Sequence, residues 1–143
     1  MKSIKVLFVL AFLICSAEAY GQQCTVTSTA VNFGGYDVSS ASPVSATGSV
    51  TVTCSPPAST MVKLDAGLNS GGSFNPRKMS GAGNNIDYNL YTDAACTMVW
   101  GDGTGNTFTQ AGGSNVLVYG KIPALQNVRP GGYSDSVTII VEF

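Results

Sequence analysis

The sequence predicts an all-β fold, a two-sheet antiparallel sandwich, and three features carry that prediction. Apolar residues recur at every second position over short runs. Clusters of glycine, proline, asparagine and serine separate the runs. Finally, no stretch of more than about ten residues holds a helical period. Short strands at this spacing, broken by turn signals, are the pattern of a sandwich.

In chain order the expected strands are Cys24–Phe33, Gly48–Cys54, Met61–Leu68, Ile86–Thr92, Met98–Trp100, Asn115–Lys121 and Ser134–Phe143. The first two are valine–threonine alternations, "CTVTSTAVNF" and "GSVTVTC", which suit a half-buried pleated surface. Between the strands lie "GGYDVSSASP", "SPPAS", "NSGGSFNP", "SGAGNN", "GDGTGN" and "RPGGY", each with residues that favour turns. Several of these links are longer than a hairpin needs, so some connections cross between sheets. In the last strand Val137, Ile139, Val141 and Phe143 share one face, and Ser136, Thr138, Ile140 and Glu142 the other. A strand this apolar is expected to have neighbours on both sides, and no later segment of the sequence supplies one.

The first nineteen residues read as a secretory signal peptide. Lys2 and Lys5 form a basic start, "VLFVLAFLIC" is an apolar run short of the roughly 20 residues a membrane helix needs, and "AEA" at Ala17–Ala19 supplies small residues for cleavage. An uncleaved anchor is the competing reading. The expected mature chain, Tyr20–Phe143, is one domain of 124 residues, long enough to bury a core. Without Lys2, Lys5 and Glu18 it holds five cations and seven carboxylates, a net charge of −2. That balance disfavours a nucleic-acid partner held by bulk charge.

Three cysteines remain after cleavage: Cys24, Cys54 and Cys96. An oxidising compartment favours a disulfide, and three pairings are open. Cys24 and Cys54 each lie in a strand-like run with a turn-rich link between them, which favours that pair. Cys96 is then a buried free thiol or a bridge to another molecule.

Catalytic chemistry finds little support. The chain has no histidine, so a Ser-His-Asp triad, a Cys-His pair and a histidine metal site are excluded. Asp87, Asp93 and Asp102 are the candidate carboxylates, and "DGTGN" lacks the alternating ligands and closing glutamate of a calcium loop. They read as residues that form turns or end strands. "GAGNN" leads into no helix that could cradle a phosphate. No metal or cofactor is expected. Trp100, the only tryptophan, is either a core anchor or the platform of a carbohydrate-binding module. Tyr88, Tyr91 and Tyr119 are expected to place their hydroxyls at the sandwich rim.

Seven stretches, "CTVTSTAVNFGGYD", "GSVTVTC", "NPRKMSG", "IDYNLYTD", "VWGDGTG", "VYGKIPALQ" and "GGYSDSVTIIVEF", appear in the order seen in the spore coat protein U domain family. Together they cover nearly all of Cys24–Phe143, and that family includes subunits of archaic chaperone–usher pili. The resemblance implies an immunoglobulin-like sandwich that lacks its last strand. A periplasmic chaperone fills the gap first. At the outer-membrane usher a neighbouring subunit's segment then replaces it. By position, the resemblance assigns the disulfide to Cys24 and Cys54, and the strand bordering the groove to Val137, Ile139, Val141 and Phe143.

Two features depart from the family pattern. Fibre-forming members carry an alternating apolar donor segment before the first cysteine, whereas here only Tyr20-Gly-Gln-Gln stands between the expected cleavage site and Cys24. The chain is therefore expected to receive a strand better than to give one, as a tip or terminal subunit would. Cys96 is the other departure. The expected function is a non-enzymatic structural subunit of an exported surface fibre, serving adhesion to a host or abiotic surface or biofilm formation. The alternatives are a stand-alone secreted coat protein and, further off, a carbohydrate-binding module.

Overall fold

The structure is a computed structural model and describes residues 21–143. The expected signal peptide lies outside the described residues. Among those residues eight strands form two antiparallel sheets: β1 (Gln23–Thr29), β2 (Val44–Ser55), β3 (Met61–Leu64), β4 (Arg77–Gly81), β5 (Asn84–Tyr91), β6 (Gln110–Ala111), β7 (Val116–Ile122) and β8 (Ile139–Glu142). The larger sheet runs β1-β2-β7-β5-β4 and the smaller β6-β3-β8. The expected all-β sandwich is present.

Alternation in the strands builds the core. Val50 and Val52 of β2, Val118 and Ile122 of β7, and Ile86 and Leu90 of β5 are buried from one sheet. Val62 and Leu64 of β3 face them from the other. Each such side chain contributes about 1.5–3 kcal/mol by leaving water. Trp100 is fully buried, and its indole Nε1 donates to the Val62 carbonyl at 3.0 Å. It anchors the core and offers no exposed platform, so the sugar-stacking reading of Trp100 fails.

Two glycines let the chain fold inward after β1. A Cβ at Gly120 would lie 2.6 Å from a Val31 methyl and 2.7 Å from the Phe33 ring, and one at Gly48 would lie 2.5 Å from the Thr29 carbonyl oxygen. Val31 and Phe33 therefore pack directly on backbone. Phe33 meets Tyr88 edge to face, with ring centroids 6.1 Å apart. Tyr36 secures the segment by donating to the Pro123 carbonyl at 2.8 Å.

Cys24 and Cys54 stand directly opposite each other in the β1–β2 register and form a disulfide. β1 is an edge strand whose side chains, Cys24 excepted, are exposed. The cross-link thus holds an edge that buries little apolar surface of its own.

The element boundaries depart from expectation in several places: β1 ends at Thr29 and β3 at Leu64, each four residues short of the expected end, β2 begins four residues early at Val44, and β6 was not expected. Residues 77–81, where no strand was expected, form β4, whose run "RKMSG" shows no apolar alternation. It pairs with β5 across a two-residue turn, Ala82-Gly83, both at positive φ, the geometry of a tight hairpin. Met98–Trp100 is not a strand but makes isolated bridges, Val99 to Tyr91 and Trp100 to Phe108. The expected Ser134–Phe143 strand divides. Ser134 pairs with Ser80 at the edge of β4, and the ladder with β3 starts only at Ile139. Between those points the chain crosses from one sheet to the other.

Candidate functional site

The crossing leaves an opening. β8 pairs with β3 alone, and among the described residues no strand takes its other edge. β1 likewise pairs only with β2. A cleft of about 1270 Å³ lies beside these edges. Ser28 and Thr29 line it from β1, Val137 and Ile139 from the β8 side, and core residues such as Val50 and Val118 from within. Val31, Phe33 and Tyr133 narrow it.

Burial differs sharply across these edges. Val26 and Val52 are directly opposite on one face, yet Val52 is 7% exposed and Val26 41%. Phe143 continues the inward phase of Val141 and is 63% exposed. A sheet with an uncovered apolar face and an unpaired edge presents main-chain donors and acceptors beside an apolar trough.

The end of the cleft near Tyr133 is polar and closely bonded. Asp135 Oδ2 accepts the Tyr88 hydroxyl at 2.7 Å, while Oδ1 accepts Leu68 N at 3.0 Å and Asn69 Nδ2 at 2.8 Å. Tyr88 is thus a core residue with a buried ring and not, as expected, a rim residue. Burial, and then the hydrogen bond and charge of Asp135, push its phenol far above the ordinary range. Arg77 is fully buried and satisfied mainly by carbonyls: Nε and Nη2 donate to Asp65 O at 3.0 and 2.7 Å, Nη2 also to Trp100 O at 2.7 Å, and Nη1 to Asn89 Oδ1 at 2.8 Å. Its desolvation lowers its pKa, and Tyr88, Asp65 and Asp135 oppose that.

Among the four residues expected to border a groove, Val137 and Ile139 line the cleft. Val141 is half-buried opposite Val62, and Phe143 lies one residue beyond the ladder. Sequence reasoning did not pick out Val31, Phe33 and Tyr133, although "TAVNFGG" carried the signal: apolar residues at alternate positions just before two glycines.

The other candidates fall elsewhere. Cys96 is a partly buried free thiol at φ 54° in a turn that Asp93 organises by accepting Thr97 N and Met98 N. Burial raises the thiol pKa against the pull of Lys121, so it is not an activated nucleophile. Asp102 accepts Thr104 N and its hydroxyl, an ordinary turn. Asp87, expected at a strand end, lies within β5 and pairs with Lys78 at 2.9 Å. Among the described residues no three His, Cys, Asp or Glu side chains converge as a metal site would require.

Residues 10–140 match the family described as Spore Coat Protein U domain. Protein U of Myxococcus xanthus is 35% identical over 141 residues, covering 86% of this chain and 79% of that protein. In the CsuC–CsuE chaperone–tip adhesion subunit pre-assembly complex from the archaic chaperone–usher Csu pili of Acinetobacter baumannii, one chain has the same fold, with a TM-score of 0.56 at 22% identity. That match covers 85% of this chain and 40% of the solved one, so this chain spans about two-fifths of its length.

Proposed function

This chain belongs to the Spore Coat Protein U domain family, and we propose that it is a non-enzymatic structural subunit that assembles by accepting a strand from another protein. The observation that carries this reading is the cleft itself, an apolar trough beside the unpaired edge of β8. A strand laid there gains main-chain hydrogen bonds and buries alternate side chains against the core. It would also cover Val137 and Ile139, which line the cleft and are only half-buried.

In the finer reading, residues 1–19 direct export through the periplasm, a chaperone strand fills the cleft there, and an usher passes the subunit to a surface fibre of the archaic pilus type. Val137, Ile139, Val141 and Phe143 border the incoming strand, and the fibre serves adhesion or biofilm formation. The short stretch between Ala19 and Cys24 supports a tip or terminal position. The family's description as a spore coat domain supports a second reading, a coat subunit that receives a strand without entering a fibre.

The test is to export the chain to a periplasm alone and together with a periplasmic chaperone of the pilus type. Recovery as a one-to-one chaperone complex, with degradation or aggregation of the chain alone, supports strand acceptance. A soluble monomer that melts cooperatively at high temperature on its own would overturn it. Displacement of the chaperone by another subunit's N-terminal segment then separates fibre from coat.

A further inference from the structure

β8 has a weakness as the wall of a cleft. Its ladder to β3 is four residues long and lies on one side only. Slipping such a strand by one residue would turn Ile139 and Val141 outward and Ile140 inward. Contacts beyond that ladder can add to what its apolar face does to hold the register.

Two carboxylates are placed to do so. Asp65, just after β3, reaches across to the chain before β8: its Oδ1 accepts Thr138 N at 2.9 Å, and its own N–H donates to the Thr138 carbonyl at 3.1 Å. The same Oδ1 accepts Gly67 N at 2.9 Å. Asp135 reaches back the other way, to Leu68 N, Asn69 Nδ2 and the Tyr88 hydroxyl. Gly67, at φ 77°, makes room for it, because a Cβ there would overlap the Asp135 carboxylate. Arg77 fixes the backbone of Asp65 through two hydrogen bonds to its carbonyl. At the far end of β8 the Lys63–Glu142 ion pair lies on the outer face.

We propose that Asp65 and Asp135 are positioning residues of the cleft: together they clasp the chain before β8 to the turn after β3, and so set the register in which Val137 and Ile139 meet an incoming strand. The clasp can be tested without any strand, whereas its consequence for a bound strand rests on the strand-acceptance reading above. Both carboxylates belong to one cluster with Arg77 from β4 and Tyr88 from β5.

The experiment compares the wild type with Asp65→Asn and Asp135→Asn by residue-resolved amide hydrogen exchange. Hydrogen bonds to charged acceptors are worth enough that each variant should exchange its β8 amides about tenfold faster. Amides of β2 and β7 should be unchanged. Release of a labelled peptide of alternating valine and threonine, loaded into the cleft, should quicken by a similar factor. Unchanged β8 exchange, or a uniform rise over both sheets, would overturn the clasp, because apolar packing alone would then hold the register or the loss would be global. If the peptide fails to bind wild type, strand acceptance fails instead, and the exchange data still decide the clasp. Should either variant not fold, Gly67→Ala, which crowds Asp135 while keeping both carboxylates, is read in the same way.

Discussion

Val62 and Val141 are paired across the β3–β8 ladder and share a face. Val62 is completely buried while Val141 is only half-buried. The same contrast divides the molecule. On the closed side Trp100, Val62 and Arg77 are sealed between the sheets, and no buried side-chain polar atom among the described residues lacks a partner. On the open side Val26 and Phe143 continue the inward phase but meet solvent. The strands on the two sides alternate equally well. Burial is set by whether a second layer lies overhead, and beside β8 no strand among the described residues supplies one.

The contrast can be broken most strongly on the closed side. Trp100→Ala should cost about 3–5 kcal/mol, the usual penalty for emptying a buried aromatic site, with the Val62 carbonyl also losing its donor. A fall in the urea midpoint, or failure to fold, is the expected readout. An unaltered midpoint would contradict a dry core at that position.

On the open side the disulfide should matter nearly as much. Cys24→Ser with Cys54→Ser removes a cross-link spanning a sequence separation of 30. The expected loss is about 3–4 kcal/mol in the chain-entropy model. Since β1 buries little, its amides should show the largest rise in hydrogen exchange. A loss spread evenly over both sheets would mean that β1 holds its place by packing.

A valine pair gives a finer measure. Val62→Ala should cost about 2 kcal/mol and Val26→Ala less than about 0.5 kcal/mol in the unoccupied protein. When a strand fills the cleft, Val137→Ala and Ile139→Ala should cost more than before, while Val62→Ala keeps its value. Thermal melts of the free and strand-bound forms check this. Equal costs in both forms would show that no second layer forms over Val137 and Ile139.

The smallest expected effect is acid sensitivity at the clasp. Burial raises the Asp65 carboxyl, but hydrogen bonds from Thr138 and Gly67, aided by Arg77, outweigh it and hold the pKa below the ordinary value. The stability this adds is present above the unfolded pKa of about 3.9 and fades as pH falls through the lower, folded value. Exchange at β8 should therefore rise in strong acid in the wild type, and this component should vanish in Asp65→Asn. Identical acid profiles would remove Asp65 from the account.

Much of this was legible before folding. Period-two alternation in "CTVTST", "GSVTVTC" and "VLVYGKI" fixed strand identity because a pleated strand exposes alternate residues to opposite faces. The Cys24–Cys54 pair followed from the two strand-like runs and from the family resemblance. β4 was not legible, since "RKMSG" is held by its hairpin turn and by buried Arg77 and not by alternation. The polar end of the cleft was equally hidden. Asp135 stood inside the expected last strand with no role assigned to it, and its partners Leu68, Asn69 and Tyr88 lie 67, 66 and 47 positions away.

By itself, then, the sequence determined the β class, the phase of each apolar strand and the family, because these depend on local period and on the order of motifs. Only the tertiary structure decided which edges stay open, which inward residues remain wet, and which carboxylates hold β8. Those properties depend on what lies across the sandwich, and a chain's own alternation records the face of a residue but not the presence of a neighbour over it.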